Sequence, residues 1–205
     1  MIKITLDTPV LEAALRHHTA NSDDAAESAA YHLLTLADGE QVKMQAIAFD
    51  TLEGGYGTGV STIREQLKTL GLEAIGILNP ALVVGYGRIV YTHISSPELA
   101  QRLSAFWEIL YPDKLLQEPA DPHHLPGTTV KADITSERYH DINRALALHV
   151  YAERSKQDAG STHLFVTTEP AILDDANRAK LAAVGAANIF SPTEATAEVE
   201  RRLSL

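Results

Sequence analysis

A five-residue run, His-Leu-Phe-Val-Thr at 163–167, constrains this chain more than any other stretch. It has strand length, it follows an amphipathic helical pattern at 137–156, and Glu169-Pro170 closes it by opening another helix. A strand flanked in sequence by helices has no hairpin neighbour. It belongs in a parallel sheet, where helices make the crossovers.

The same alternation runs through the chain. Ile2 to Leu6 reads as a first strand ended by Asp7. Thr8-Pro9 opens a helix with Val10, Leu11, Ala14 and Leu15 on one stripe. Residues 17–22 read as a loop, and Asp23-Asp24 cap a second helix running to Leu36. A second strand is expected at 42–49, an amphipathic helix at 60–70, and strand-length apolar runs at 74–78 and 88–94. Ser95-Ser96-Pro97-Glu98 starts a helix whose apolar stripe of Leu99, Leu103, Phe106, Trp107 and Leu110 is core or interface, core being the commoner place for such a stripe. Pro170 starts a helix to about Val184, a last strand follows at 188–190, and Ser191 with Glu194 has capping-box spacing. The expected architecture is α/β: a three-layer α/β/α sandwich around a central, mainly parallel sheet of about five strands. One domain spans 1–205, with a proline-rich loop insert at about 112–130 that carries four of the nine prolines.

Composition narrows the chemistry. There is no cysteine, which removes disulfides, thiolate zinc sites and thiol nucleophiles together. The net charge of −10 is a poor match for a nucleic-acid backbone, although bound cations can invert the field of a site. No apolar run approaches the ~20 residues that span a bilayer. The N-terminal residues lack a signal-peptide pattern, so the cytoplasm is expected, with no membrane partner.

Carboxylates carry the strongest functional pattern. Asp7 ends the first strand, Asp50 and Glu53 follow the second, Asp141 enters the long helix, and Glu169 follows the best strand. Parallel strands bring their carboxyl ends to one edge, where open α/β sheets bind ligands. Crowded carboxylates repel and resist ionising, and a hard cation such as Mg²⁺ or Mn²⁺ resolves that. Such an ion keeps waters that can become nucleophiles. Acids beside helix starts also act as caps, so on spacing alone both readings of Asp141 and Glu169 stand.

Gly54 to Gly59 has GxxxxG spacing between a strand and a helix, but Val60 stands where a phosphate loop needs lysine. Backbone N–H groups there could still hold phosphate, which makes a small phosphate- or nucleotide-binding domain an alternative. His17, His18, His123 and His124 fall in expected loops, and no HExxH pattern occurs. His149 shares a stripe with Ile142 and Leu146 and reads as half-buried. His140, next to Asp141, is the candidate for a phosphate contact or proton relay. No GxSxG elbow supports a serine hydrolase.

Three segments together resemble a PIN domain. They are Asp141-Ile-Asn-Arg-Ala-Leu-Ala; Leu164-Phe-Val-Thr-Thr-Glu169 with Arg178; and Ile189-Phe-Ser-Pro-Thr-Glu194. The opening Leu6-Asp7-Thr-Pro-Val-Leu11 is similar to the family's LDTNVL. The resemblance covers roughly half of the chain, at its two ends. It implies a Mg²⁺- or Mn²⁺-dependent nuclease, RNA before DNA, in which a metal-bound water attacks phosphorus in line. Asp7 matches the first acid, Glu53 the second with Asp50 in reserve, Asp141 the third and Glu169 the fourth. Asp7, Asp141 and Glu169, with Asp50, are then metal ligands. Thr167 matches the hydroxyl residue two before the fourth acid, and His140 and Arg144 fall among the substrate-binding positions. Pro9 and the longer Glu169 depart from the family pattern. The Glu169 departure and the missing basic surface support an alternative: a catalytically weak or inactive PIN-like scaffold regulated by a protein partner. A homodimer is compatible with either reading.

Overall fold

Hydrophobic alternation along the strands decides which helices cover which face of the sheet. The computed structural model describes residues 1–20, 22–36, 41–47, 97–114 and 136–204. In chain order these form β1 (Ile2–Asp7), α1 (Thr8–Ala20), α2 (Ala25–Thr35), β2 (Val42–Ile47), α3 (Pro97–Leu110), α4 (Ser136–Gln157), β3 (Thr162–Val166), α5 (Pro170–Leu173), α6 (Asp175–Ala183), β4 (Ile189–Phe190) and α7 (Pro192–Leu203). The strands lie in the order β2-β1-β3-β4, and every neighbouring pair is parallel.

Ile2, Ile4 and Leu6 of β1 join Leu164 and Val166 of β3 in one core, closed by Val10, Ala14, Leu33, Leu34, Ala195 and Val199 of α1, α2 and α7. Phe165 points the other way, into a second core with Leu103, Phe106 and Trp107 of α3, Leu148 and Tyr151 of α4, and Leu181 of α6. Successive β-strand side chains face opposite sides, so one apolar strand feeds both cores. The two cores put helices on both sides of a parallel sheet. Phe106 and Trp107 are core residues, as their stripe implies.

Helix ends follow local chemistry. The Asp24 carboxylate accepts from the N–H groups of Ala26 at 2.8 Å and Glu27 at 3.0 Å, capping α2. Ser191 and Glu194 form a complete capping box at the start of α7.

Several boundaries differ from expectation. Residues 17–20 belong to α1 rather than a loop. The His17 and His18 rings pack 5.3 and 5.5 Å from the Tyr31 ring, and His17 Nδ1 lies 2.9 Å from the Ser22 carbonyl, contacts that extend the helix. The helix expected from Pro170 to about Val184 is two helices. Asp174 breaks it with an extended ψ of 132° and caps α6 by accepting from the Asn177 N–H at 3.0 Å. Four strands are present among the described residues. The runs expected at 74–78 and 88–94, the helix expected at 60–70 and most of the proline-rich insert lie outside those residues.

Candidate active site: a carboxylate edge bridged by cations

All four strands are parallel, so β1 and β3 end on the same edge of the sheet. Asp7, the last residue of β1, stands beside the turn that follows β3. Lys3, Thr5 and Asp7 alternate away from the Ile2–Leu6 core and face the side on which α4 packs. His163, Phe165 and Thr167 share that side. Asp7 is buried to 5% exposure and Thr167 completely. The Thr167 hydroxyl donates to Asp7 Oδ2 at 2.8 Å and accepts the Glu169 N–H at 3.1 Å. One hydroxyl therefore orders both the Asp7 carboxylate and the backbone of Glu169.

α4 leads into β3 through residues 158–161, so it runs against the sheet and brings its N-terminal half to the same edge. Asp141 lies in the second turn of α4, deeper than the helix entrance expected from the sequence, because the helix begins at Ser136. It is 2% exposed. A cap in solvent would not be buried so deeply. Glu169 stands at the start of α5 but makes no side-chain cap. Both acids pair with cations instead. Arg144 Nη1 lies 3.3 Å from Asp141 Oδ1, and Arg144 Nη2 lies 2.6 Å from Glu169 Oε2. Lys114 Nζ lies 2.7 Å from Asp141 Oδ2. Buried charges persist where they are paired and hydrogen-bonded.

Lys114 reaches this position from the turn after α3. Its N–H donates to the Tyr111 carbonyl at 2.9 Å, and the Trp107 indole N–H donates to its own carbonyl at 2.6 Å. Its ammonium sits 5.2 Å from the centre of the Tyr111 ring. Burial pushes the Tyr111 phenol well above its usual range, so this ring stays neutral beside the ion pairs.

The structure thus gathers Asp7, Thr167, Glu169, Arg144 and Asp141 into one chain of contacts, to which Lys114 is added. His140 precedes Asp141 in α4. Asp50, Glu53, the Gly54–Gly59 loop, His123 and His124 lie outside the described residues. Among the described residues, no three His, Asp or Glu side chains form a group close enough to hold a metal. His149 is half-buried with its ring 6.1 Å from Phe106. Lys114 and Tyr111 are contributors that the sequence reading missed. Lys114 pairs with a residue 27 positions away, and no periodicity marks such a pair.

Among the described residues, no helix is long and apolar enough to cross a membrane. Comparison with family models, with curated proteins and with solved structures gives no match to this chain.

Proposed function

We propose that this chain is a PIN-like, divalent-metal-dependent nuclease that hydrolyses phosphodiesters, with RNA as its first substrate class. The observation that carries this reading is the joining of three acids from separate elements at one sheet edge. Asp7 and the Glu169 backbone share Thr167, while Glu169 and Asp141 share Arg144. On this reading the sheet is the centre of a three-layer sandwich of about five strands.

The donor type is that of a hard cation, but the described acids are not close enough together to hold one as they stand. Carboxylate oxygens suit Mg²⁺ and Mn²⁺, and the positive charge these acids require is here supplied by Lys114 and Arg144. On the PIN-like reading Asp7, Asp141 and Glu169 are the acids that would have to close on an ion, with Asp50 or Glu53 as the remaining acid. A bound divalent ion supplies Lewis acidity toward water and a phosphoryl oxygen. The chain's own residues prepare the site. Thr167 fixes the Asp7 carboxylate, and its burial keeps that bond out of competition with water. Arg144 holds two carboxylates apart in fixed geometry, and its guanidinium is of the kind that pairs with phosphate. The acidic surplus of the whole chain places RNA binding on such local cations.

A second reading has its own support. Cations already engage both oxygens of Asp141. A retained PIN-like scaffold, controlled by a protein partner, would have this neutralised edge.

Cleavage of end-labelled single-stranded RNA by the purified full chain decides between them. With Mn²⁺ the wild type is expected to cleave, chelation to stop it, and Asp7→Asn to abolish it. Cleavage that survives Asp7→Asn would remove the nuclease assignment to this site. A wild type inert with either ion would favour the scaffold.

A further inference from the structure

A cavity of about 640 Å³ lies at the amino edge of the sheet, where β1 and β3 begin, opposite the edge that carries the acids. Met1, Ile2 and Thr162 line it from the strands, and Arg201, Arg202 and Leu203 from the last turn of α7. Its volume is that of a small-molecule site, for which ~300–1,000 Å³ is usual. One acid holds the two arginines side by side. Arg201 Nε and Nη2 lie 2.9 and 3.0 Å from the Glu198 carboxylate, and Arg202 Nε lies 2.6 Å from it. Arg202 Nη1 donates to the Thr162 hydroxyl at 3.3 Å, which ties the helix end to β3. Arg201 Nη1 and Arg202 Nη2 are left without a partner among the described residues. Hydrogen bonds from Arg201, then from Arg202, hold the Glu198 carboxyl at about 2, so two guanidiniums and one carboxylate keep one net positive charge at neutral pH. In a chain of net charge −10 this is a local inversion. Apolar surface lies beside it. Met1, Val184 and Leu203 are the exposed large apolar residues among those described, and Met1 and Leu203 both line this cavity.

We propose that this cavity binds a small aliphatic monocarboxylate, whose carboxylate takes the free guanidinium edges of Arg201 and Arg202 and whose chain lies over Met1, Ile2 and Leu203. The inference is independent of the nuclease reading. Guanidinium edges match carboxylate and phosphate oxygens in pairs, so the arginines ask for an anion. Three features choose among anions. One net positive charge is the complement of a monoanion. α7 presents its C-terminus here, and the negative end of a helix dipole disfavours a phosphate dianion. No aromatic ring lines the cavity, so it lacks the stacking platform on which proteins hold a nucleobase. A single carboxylate on an aliphatic body meets both the charge and the apolar wall.

The test is calorimetric titration of the full chain with sodium octanoate below its micellar concentration, with acetate and octyl phosphate alongside. One octanoate is expected to bind per chain, at least about tenfold more tightly than acetate, because acetate leaves the apolar wall in water. Octanoate should also bind more tightly than octyl phosphate. Arg201→Gln should weaken octanoate about fivefold, the effect of one exposed cation. Leu203→Asn should weaken it by a similar factor through the chain rather than the carboxylate. No saturable binding, several octanoates per chain, tighter binding of octyl phosphate, or unchanged affinity in either variant would overturn the assignment. If Arg201→Gln fails to fold, Arg201→Lys takes its place, since it keeps the charge and loses the planar edge, and the octanoate–acetate comparison on the wild type still decides.

Discussion

Thr167 and Asp7, 160 residues apart in the chain, share a buried hydrogen bond of 2.8 Å. The bond ties the end of β1 to the turn after β3, and the same hydroxyl accepts the Glu169 N–H. Thr167→Val keeps the shape but removes both interactions. It leaves a buried carboxylate short of a donor and a backbone N–H short of an acceptor. Hydrogen bonds to charged groups contribute about 1.5–3 kcal/mol, and a loss of that size is expected in urea unfolding. Thr167→Ser should recover most of it. A valine variant within about 0.5 kcal/mol of wild type would show that water or another group replaces the hydroxyl.

Arg144 is the hinge pin of the acid edge. Its removal leaves Asp141 buried with Lys114 as the remaining cation among the described residues and leaves Glu169 without its guanidinium. Full loss of a partner from a buried pair costs about 3–5 kcal/mol. Here one cation remains and Arg144 is 32% exposed, so Arg144→Ala should cost about 1–3 kcal/mol. The coupling is the sharper measurement. A double-mutant cycle with Asp141→Asn should give an interaction of about 0.5–3 kcal/mol, because the neutral amide no longer needs the guanidinium. Simple additivity would place the cost of Arg144→Ala in lost packing instead.

These relationships also show which parts of the site the sequence could carry. β3 was legible because its apolar run has strand length and helical patterns on both sides. Asp24, and Ser191 with Glu194, were legible because caps are local chemistry. Asp7 and Glu169 could be placed on one edge because parallel strands share their polarity. What failed was non-local or depended on packing. The extension of α1 through His18 depends on Tyr31, from a different helix. The break at Asp174 depends on a side chain choosing its own backbone turn over a continuous helix. The depth of Asp141 follows from where α4 begins, and the sequence showed only an acid near a helix start. Lys114 falls within the expected proline-rich insert, while its bonds to Trp107 and Tyr111 fold it back toward α4.

Asn188 gives a prediction about the other side of β3. It has a positive φ of 57°, and its Nδ2 donates to the His163 carbonyl at 3.1 Å. Asparagine tolerates the left-handed region better than most residues with a Cβ. Asn188→Ala loses the bond and adds backbone strain, together about 2–3 kcal/mol. Asn188→Gly loses the bond and adds chain entropy in the unfolded state, but it has no strain. Thermal unfolding should therefore rank wild type above Asn188→Gly, and Asn188→Gly above Asn188→Ala. The reverse order for the two variants would mean that the backbone relaxes out of this conformation when the asparagine is removed.

Lys3 and Asp158 clasp the opposite edge of the sheet, and their effect should appear as an acid limb in stability. Lys3 Nζ lies 2.5 Å from Asp158 Oδ2, joining the start of β1 to the end of α4. The Lys3 hydrogen bond, followed by that of Ser161, pulls the Asp158 carboxyl down from 3.8 to about 2. A carboxyl whose folded pKa is lowered favours the folded state while it is ionised. The contribution is complete above the unfolded value near 4, and it is lost as pH falls toward the folded value of about 2. Glu198 is held at about 2, first by Arg201 and then by Arg202, and it titrates in the same window. The comparison must therefore be wild type against Asp158→Asn, with Glu198 common to both. At neutral pH the wild type should be the more stable, and the gap should close between pH 4 and pH 2, read as urea midpoints across that range. Parallel curves would show that the clasp makes no net contribution to folding, as many exposed ion pairs do not.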